Sequence, residues 1–321
     1  MMCSERETAP TDLTGAHYAP RTRYLSYPIP PEQGGAQVRA LLRNTLHLSA
    51  GLIKRIKWLD DGITLDGLRV TTRTAVRSGQ VLRVRLSDSV RRSEIVPSPG
   101  PLDLLYEDED LLILNKAPGV AVHPGLGHWN DTLGSFLLAY YDRCGIPADF
   151  HPVHRLDKGT SGAMVVAKHA HAQDVLRRAL HTDAFRREYL AVCDGAPPRA
   201  CGVINLPLAH AGDSVIRQKV CPTGCAARTE YEVLRRTPER TLVRLRLQTG
   251  RTHQIRVHMA AIGCPLTGDF LYGRENPALI ARPALHAHML SLLHPLTGQH
   301  LSFTVPLPRD IAALLAPAEE L

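Results

Sequence analysis

Apolar positions in the N-terminal part of the chain first recur with helical spacing and then alternate as in strands. The helical positions, which follow an i, i+3, i+4, i+7 pattern, are Val38, Leu41, Leu42 and Thr45/Leu46. A second short helix is predicted over residues 52–56. Residues 63–65 and 68–70 flank Asp66-Gly67, a dipeptide that supplies the positive φ angles of a two-residue hairpin. Because residues 81–86 alternate as a further strand, this part of the chain predicts a small helix-and-strand module.

Beyond residue 101 the pattern is dominated by short apolar segments typical of strands. The predicted strands are 111–114, 163–167, 189–193, 242–247 and 301–305, and the predicted helices are 132–141, 175–181 and 255–262. Since the helices do not alternate regularly with the strands, we expect an α+β fold with a mostly antiparallel mixed sheet rather than a doubly wound fold.

The two parts are separated by a stretch that contains three prolines. It predicts a linker at residues 91–101, with a flexible tail at 1–20, a small basic module at 21–90 and a larger domain at 102–321. No apolar run reaches the ~20 residues of a membrane-spanning helix, and the polar N-terminus lacks the apolar stretch of a secretory signal. We therefore expect a cytoplasmic protein, a monomer, with no membrane contact.

The seven cysteines are scattered and odd in number, which disfavours a disulfide framework. Cys221 and Cys225 are the only close pair, and a metal site would need two more ligands at similar spacing. We therefore predict reduced thiols and no metal.

Charge is concentrated in the small module. The chain has a net charge of +7, and residues 36–87 contain ten Lys/Arg against three acidic residues, so this segment alone accounts for that excess. Concentrated positive charge is what a phosphate-binding surface requires. The residues predicted to contact phosphate in the module are Lys54, Arg55, Lys57 and Arg69.

One carboxylate stands out in the larger domain. Asp157 lies between Arg155 and Lys158 in the segment His-Arg-Leu-Asp-Lys-Gly-Thr-Ser-Gly, residues 154–162. Neighbouring cations favour the ionised acid, and the glycines let a substrate approach the backbone. A surface loop with a local ion pair would explain the same charge pattern.

Two further segments carry candidate chemistry. Arg251 is predicted at the start of a helix, where it opposes the helix dipole and should therefore have an anionic partner, a carboxylate or a phosphate. Tyr189 follows basic residues in a predicted strand, where a tyrosine either packs in the protein or stacks on an extruded base.

These segments together resemble the RluA-type pseudouridine synthase family. The signature His-Arg-Leu-Asp-Arg/Lys-x-Thr-Ser-Gly matches residues 154–162. The resemblance extends from about residue 102 to 310 with its spacing intact. It includes residues 106–119, 187–191, 250–258 and 294–298. Gly159 stands where the family often has Asp, and Cys225 stands where Lys is common. The N-terminal module resembles, more loosely, the ribosomal-protein-type alpha-L RNA-binding module.

The resemblance implies the chemistry of the site. It implies that uridine in structured RNA is isomerised to pseudouridine without a cofactor, after the nucleotide leaves its stack. Asp157 corresponds to the family's catalytic aspartate, acting on the uracil ring or at the ribose. Tyr189 corresponds to its active-site tyrosine and Arg251 to the arginine that pairs with the aspartate. Arg155, Lys158 and His154 are expected to contact RNA.

Several interpretations remain open at this stage. Ribosomal RNA of the large subunit is favoured as the substrate because of the N-terminal module, and transfer RNA is the alternative. A non-catalytic RNA-binding or ribosome-assembly factor would keep the fold without the reaction, whereas a nucleoside hydrolase would release free uracil.

Overall fold

The computed structural model describes residues 22–88, 90–125, 127–212, 214 and 216–316. The expected tail at 1–20 lies outside the described residues. Within them the chain forms a small N-terminal module and a larger domain built on one mixed sheet.

The N-terminal module combines short helices with a four-stranded sheet. Its strands are β1 (Tyr24–Pro28), β2 (Ile63–Leu65), β3 (Leu68–Arg69) and β4 (Val81–Arg85), in the order β1-β4-β2-β3. Its helices are a 3-10 turn (Pro31–Gln33), α1 (Val38–Ala40), a π-helix that continues α1 (Leu41–Thr45) and α2 (Ala50–Ile56). Asp66 and Gly67 both have positive φ, as the predicted hairpin requires. The apolar positions identified in the sequence form the buried core of this module.

The larger domain is organised around a long antiparallel sheet with one parallel pair. Its strands are β5 (Leu104–Glu107), β6 (Leu111–Lys116), β7 (His151–Pro152), β8 (Ser161–Ala167), β9 (Phe185–Asp194), β10 (Cys201–Asn205), β11 (Leu208–His210), β12 (Gln218–Val220), β13 (Arg228–Arg236), β14 (Arg240–Leu247), β15 (Leu285–Leu293) and β16 (His300–Thr304). The main path runs β10-β13-β14-β9-β15-β8-β6-β5, and β8 with β15 is its parallel pair. This arrangement brings the loop before β8 beside β15 and β9.

Helices α3 (Leu133–Cys144), α4 (Ala170–Ala179), α5 (Gln254–Ala261) and α6 (Arg309–Ala313) pack on this sheet. The expected α+β class with a mostly antiparallel sheet is confirmed, and the predicted helices at 132–141 and 255–262 correspond to α3 and α5. The sequence patterns did not predict β1, β5, β7, β10 to β13 or the central strand β15. Several of these strands are short or partly exposed, so the alternation of apolar residues along them is weak.

Residues 91–101 contain no regular secondary structure, yet they are bound to the larger domain. The backbone amides of Arg92 and Ser93 donate to the Asp149 carboxylate at 2.8 and 3.0 Å. A Cβ added at Gly100 would lie 2.3 Å from the Phe136 ring, so this segment fits closely against α3. The predicted linker is therefore attached to the larger domain near both of its ends.

An ion pair and a carboxylate–histidine contact also join the module to the larger domain. Arg23 donates two hydrogen bonds to the Asp110 carboxylate, at 2.8 and 2.9 Å. Asp88 accepts from Arg55 at 3.4 Å and lies 2.6 Å from the His151 ring. No helix among the described residues has both the length and the apolar character that crossing a membrane requires.

Candidate active site

Asp157 lies in the loop between β7 and β8, and buried cations hold the backbone of that loop. Lys116 donates from its ammonium group to the carbonyls of Ala117, Val120 and Lys158 at 2.8, 2.9 and 3.2 Å. Burial lowers the pKa of Lys116 to about 7, while the charge of Asp157 opposes that shift. The loop is thus fixed around a carboxylate that remains 26% exposed.

A second cation holds the other side of this loop. Arg282 donates to the carbonyl of Gly159 at 3.1 Å and pairs with Asp310 through two hydrogen bonds of 2.7 and 2.9 Å. Because Asp310 compensates the charge of Arg282, this arginine can remain buried next to the loop that carries Asp157.

The arginine beside Asp157 is Arg256, on α5. Its Nη1 atom lies 3.6 Å from Oδ2 of Asp157, and the same side chain forms two hydrogen bonds of 2.8 and 2.7 Å with Asp269. Arg256 is 4% exposed. Burial by itself would lower the pKa of Arg256, but the hydrogen bond and charge of Asp269 and the charge of Asp157 raise it. The guanidinium therefore stays charged and orients the Asp157 carboxylate.

The expectation that Arg251 pairs with Asp157 is wrong. Arg251 is exposed before the start of α5, and its Nε donates to the carbonyl of Ala226 at 3.1 Å. The reason is geometric: Arg256 lies in the first turn of α5 on the side that faces the catalytic loop, whereas Arg251 lies at the outer edge of the same cavity. At that edge its charge is open to an anion of the substrate.

Tyr189 lies on β9 and faces the cavity that contains Asp157. It is 4% exposed, and burial together with the nearby Asp157 charge raises the pKa of its hydroxyl. Two residues earlier, and so on the same face of the strand, lies Arg187, which is 9% exposed. Tyr189 and Asp157 therefore line the same cavity.

His253 approaches Asp157 from the start of α5, a position that the sequence did not indicate. It adopts a left-handed backbone conformation, with φ of 55°, and its Nε2 lies 3.9 Å from Oδ2 of Asp157. The Tyr272 hydroxyl accepts from the amide of Gln218 at 2.8 Å and lies 2.8 Å from Nδ1 of His253, so Tyr272 holds the imidazole ring beside Asp157.

Two connected cavities meet at Asp157. The smaller, of about 320 Å³, is lined by Tyr189, Arg187 and Arg251, and the larger, of about 840 Å³, by Lys158 and the exposed ring of Phe270. Asp157 and Arg256 line both. A cleft of this kind can hold one nucleotide beside the carboxylate and more of a polymer next to it.

The residues expected to contact RNA near Asp157 fall into two groups. Arg155 and Lys158 are exposed at the cleft, and Arg155 has no ion-pair partner among the residues that the structure describes. His154 is 7% exposed, and burial lowers its pKa to about 3. The expectation for His154 therefore needs correction, because a neutral buried ring packed against Phe185 does not offer a charge to phosphate.

The four cations expected to contact RNA in the module also differ. Lys54 is exposed, and Lys57 lies over the Trp58 ring at 4.8 Å. Arg69 pairs with Asp60 at 2.7 Å, and Arg55 pairs with Asp88 at the junction with the larger domain. Lys54 and Lys57 are thus the better placed for phosphate.

Within the described ranges, one group of side chains has the proximity needed for a metal ion: Asp108, Asp110 and His294, whose ligand atoms lie within 4.8 Å of one another. His294 already bonds Asp108 at 3.0 Å, and Asp110 is bonded by Arg23 and His169. This group joins the module to the sheet, at the opposite end of β6 from the catalytic loop. Cys221 and Cys225 do not belong to it.

Comparison with known proteins agrees with this geometry. A family model described as RNA pseudouridylate synthase matches residues 110–261, which include Asp157, Tyr189 and Arg256. The "Ribosomal large subunit pseudouridine synthase D" of Vibrio vulnificus is 41% identical over 80% of this chain and 83% of its own length. The chain belongs to the RNA pseudouridine synthase family. The expected RluA-type membership is thereby confirmed.

Other members of the family give the same result. An RNA pseudouridine synthase of Bacillus subtilis, YjbO, is 38% identical over 84% of this chain and 95% of its own length. The solved structure "Human RNA Pseudouridylate Synthase Domain Containing 4" has 25% identity and a TM-score of 0.54, over 65% of this chain and 90% of the human one.

The sequence carried only a partial signal for Arg256, which lies between Ile255 and Val257 in the predicted helix 255–262. In the structure all residues from Gln254 to Met259 are buried, so this arginine is buried with its apolar neighbours. A buried arginine requires an anionic partner far more strictly than an exposed one at a helix start does. No comparable signal marks His253, because its role depends on Tyr272, nineteen positions later.

Proposed function

We propose that this protein isomerises a uridine of large-subunit ribosomal RNA to pseudouridine, with Asp157 as its catalytic carboxylate. The observation that carries the proposal is the position of Asp157, which is partly exposed in a cleft between Arg256 and Tyr189. The similarity to a ribosomal large-subunit pseudouridine synthase of Vibrio vulnificus supports ribosomal RNA as the substrate class.

Three residues of the cleft fit roles that this isomerisation needs. The bond from C1′ of the ribose to N1 of uracil breaks, the base turns, and C5 bonds to C1′ while a proton leaves C5 and N1 gains one. Asp157 acts as nucleophile on the ring or at the ribose, and the guanidinium of Arg256, 3.6 Å away, orients its carboxylate. Tyr189 supplies a flat, water-excluding wall against which the extruded base can stack.

The cations at the surface would hold the RNA strand around the extruded nucleotide. Arg155, Lys158 and Arg251 lie at the edge of the cleft. Cations of the N-terminal module, including Lys54 and Lys57, would contact phosphates farther along the RNA. Such contacts position a nucleic acid but carry little sequence information.

Mapping of pseudouridines in total RNA tests the proposal. RNA from cells with the gene, without it, and with a gene encoding Asp157→Asn is compared nucleotide by nucleotide. We expect at least one uridine of large-subunit ribosomal RNA to lose its modification in the second and third strains. Loss confined to transfer RNA would correct the substrate, and unchanged modification everywhere would favour a non-catalytic RNA-binding factor.

A further inference from the structure

Arg187 is a buried cation that faces the cavity around Asp157 and has no anionic partner among the residues that the structure describes. It is 9% exposed and lies on β9 beside Tyr189, on the same face of the strand. Its Nη2 atom is shielded from solvent and has no hydrogen-bond acceptor among the residues that the structure describes. The Arg187 guanidinium lines the cavity of about 320 Å³ that contains Asp157.

The other buried cations of the described chain show how unusual this is. Each of them is neutralised or fully hydrogen-bonded: Arg256 by Asp269 and Asp157, Arg282 by Asp310, Lys168 by Glu107, and Lys116 by three carbonyls. A buried charge without a counter-ion lowers the free energy of unfolding, so a protein retains one where a bound ligand supplies the opposite charge.

The reaction itself generates that charge. If the carboxylate adds to C6 of uracil, the electron pair of the C5–C6 double bond moves toward O4. If the C1′–N1 bond breaks first, its electron pair stays on the uracil ring. In both routes the ring becomes negative and returns an electron pair when C5 bonds to C1′, so no oxidant or reductant takes part.

We propose that Arg187 is a catalytic residue that stabilises the negative charge which develops on the uracil ring. The inference rests on the proposed function and holds for both roles of Asp157. Arg187 acts by its charge from a buried position, where such stabilisation is stronger than in water. The alternative anion is a phosphate of the RNA, but the exposed Arg155, Lys158 and Arg251 at the edge of the cleft suit phosphate better than a buried side chain does.

The test replaces Arg187 by a neutral side chain of similar length. Arg187→Met should lower kcat about 100-fold, the usual effect of removing one donor that stabilises a transition-state anion. The dissociation constant for RNA and its dependence on salt should not change. Because an uncompensated charge is removed, the variant should unfold at the same denaturant concentration as wild type or a higher one. Arg187→Lys should recover part of the rate.

The matched control lies next to it in the sequence. Arg186 points to the opposite face of β9, its side chain is 59% exposed, and it pairs with Asp183 at 3.3 Å. Arg186→Met removes the same charge from the same strand and should leave kcat unchanged.

A substrate whose ring tolerates negative charge better gives a second, independent measurement. In a ribosomal RNA fragment with 5-fluorouridine at the target position, fluorine itself stabilises negative charge on the ring. Consumption of the target nucleoside should therefore depend less on Arg187, and the 100-fold defect of Arg187→Met should shrink to about 10-fold or less.

Other outcomes overturn the inference. Weaker RNA binding, with a salt slope reduced by about 0.7 as expected when one phosphate is no longer bound, would assign Arg187 to phosphate. Reduced stability with unchanged kcat would make it a structural residue. If wild type forms no pseudouridine, the proposed function itself is wrong. If wild type is active and the fluorinated substrate shows the full defect, only the role of Arg187 is wrong.

Discussion

The cleft around Asp157 and the N-terminal module are both cationic, but their positive charges differ in burial and in pairing. In the cleft, Arg256 and Arg282 are buried and each is held by two hydrogen bonds to one carboxylate. In the module, six cations are exposed and have no ion-pair partner among the described residues: Arg39, Arg43, Lys54, Arg73, Arg77 and Arg83. We therefore expect charges in the cleft to act through their individual positions and those of the module to act through their number.

The physical reason for the difference is solvent. A buried charge interacts strongly over short distances and is costly without a partner, so each one must be placed individually. Exposed charges are screened and mobile, and they bind a polyanion mainly by releasing its counter-ions. Single substitutions should therefore abolish function in the cleft, and several should be needed to weaken the module.

The largest effect is expected at Asp157. Asp157→Asn keeps the shape of the side chain but removes the nucleophile, so kcat should fall by more than about 1,000-fold. RNA binding should remain, because the surrounding cations are intact. Single-turnover formation of pseudouridine in purified protein measures the loss, and filter binding measures affinity. A variant with near wild-type turnover would remove Asp157 from the mechanism.

The second effect separates the two arginines of the 250–258 segment. Arg256→Lys should lower kcat about 100-fold, since a lysine cannot bond Asp269 and Asp157 at once in the way the planar guanidinium does. Arg251→Lys keeps an exposed charge and should change KM by no more than about 5-fold. Steady-state kinetics of the two purified variants on the same RNA measure both effects.

Thermal unfolding of the Arg256→Lys variant shows whether the protein still folds when its buried ion pair with Asp269 is broken. Asp269→Asn is the control, because it breaks the same ion pair and leaves both Asp157 and Arg256 in place. If Arg251→Lys proved the more damaging substitution, the arrangement around Asp157 would have to change when RNA binds.

The third effect concerns the number of charges in the module. Replacing Arg39, Arg43 and Lys54 by Gln should reduce the slope of log affinity against log salt by about 0.7 for each phosphate that is no longer bound. Turnover at saturating RNA should stay the same. A control with the same change of charge uses Arg199, Arg235 and Arg236, which are exposed in the larger domain. Equal slopes for both triple variants would mean that the module has no special part in RNA binding.

The smallest effect is a dependence of stability on pH that buried histidines impose. Burial lowers the pKa of His154 to about 3, from an ordinary value of 6.5. Between these values the unfolded chain binds a proton that the folded protein does not, so stability falls as pH drops from 6.5 toward 3. One such group contributes a slope of up to about 1.4 kcal/mol per pH unit.

Denaturant unfolding at several pH values measures this slope. His154→Leu keeps an apolar contact with Phe185 and should flatten the acid side of the profile by one proton. A slope equal to that of wild type would show that His154 is charged or exposed in solution.

Much of the fold could be predicted from periodicity because the relevant forces are local. The spacing of Val38, Leu41 and Leu42 identified a buried helical face, and Asp66-Gly67 identified a hairpin, since both depend on neighbours in the chain. Strands β10 to β13 escaped prediction because they are short or half-exposed and stable only through their partners. The linker was recognised by its prolines, but its packing against the larger domain depends on residues some fifty positions away.

The sequence by itself determined that Asp157 stands in a glycine-containing loop between two cations, that a basic module precedes it, and which family the chain resembles. Only the tertiary structure decided which arginine faces the carboxylate, that His154 is buried and neutral, and that Arg187 has no counter-ion within the described part of the chain. These properties depend on burial and on distances between β9, α5 and the loop before β8. Such distances are set when separate segments pack together, and the order of residues within any one segment does not contain them.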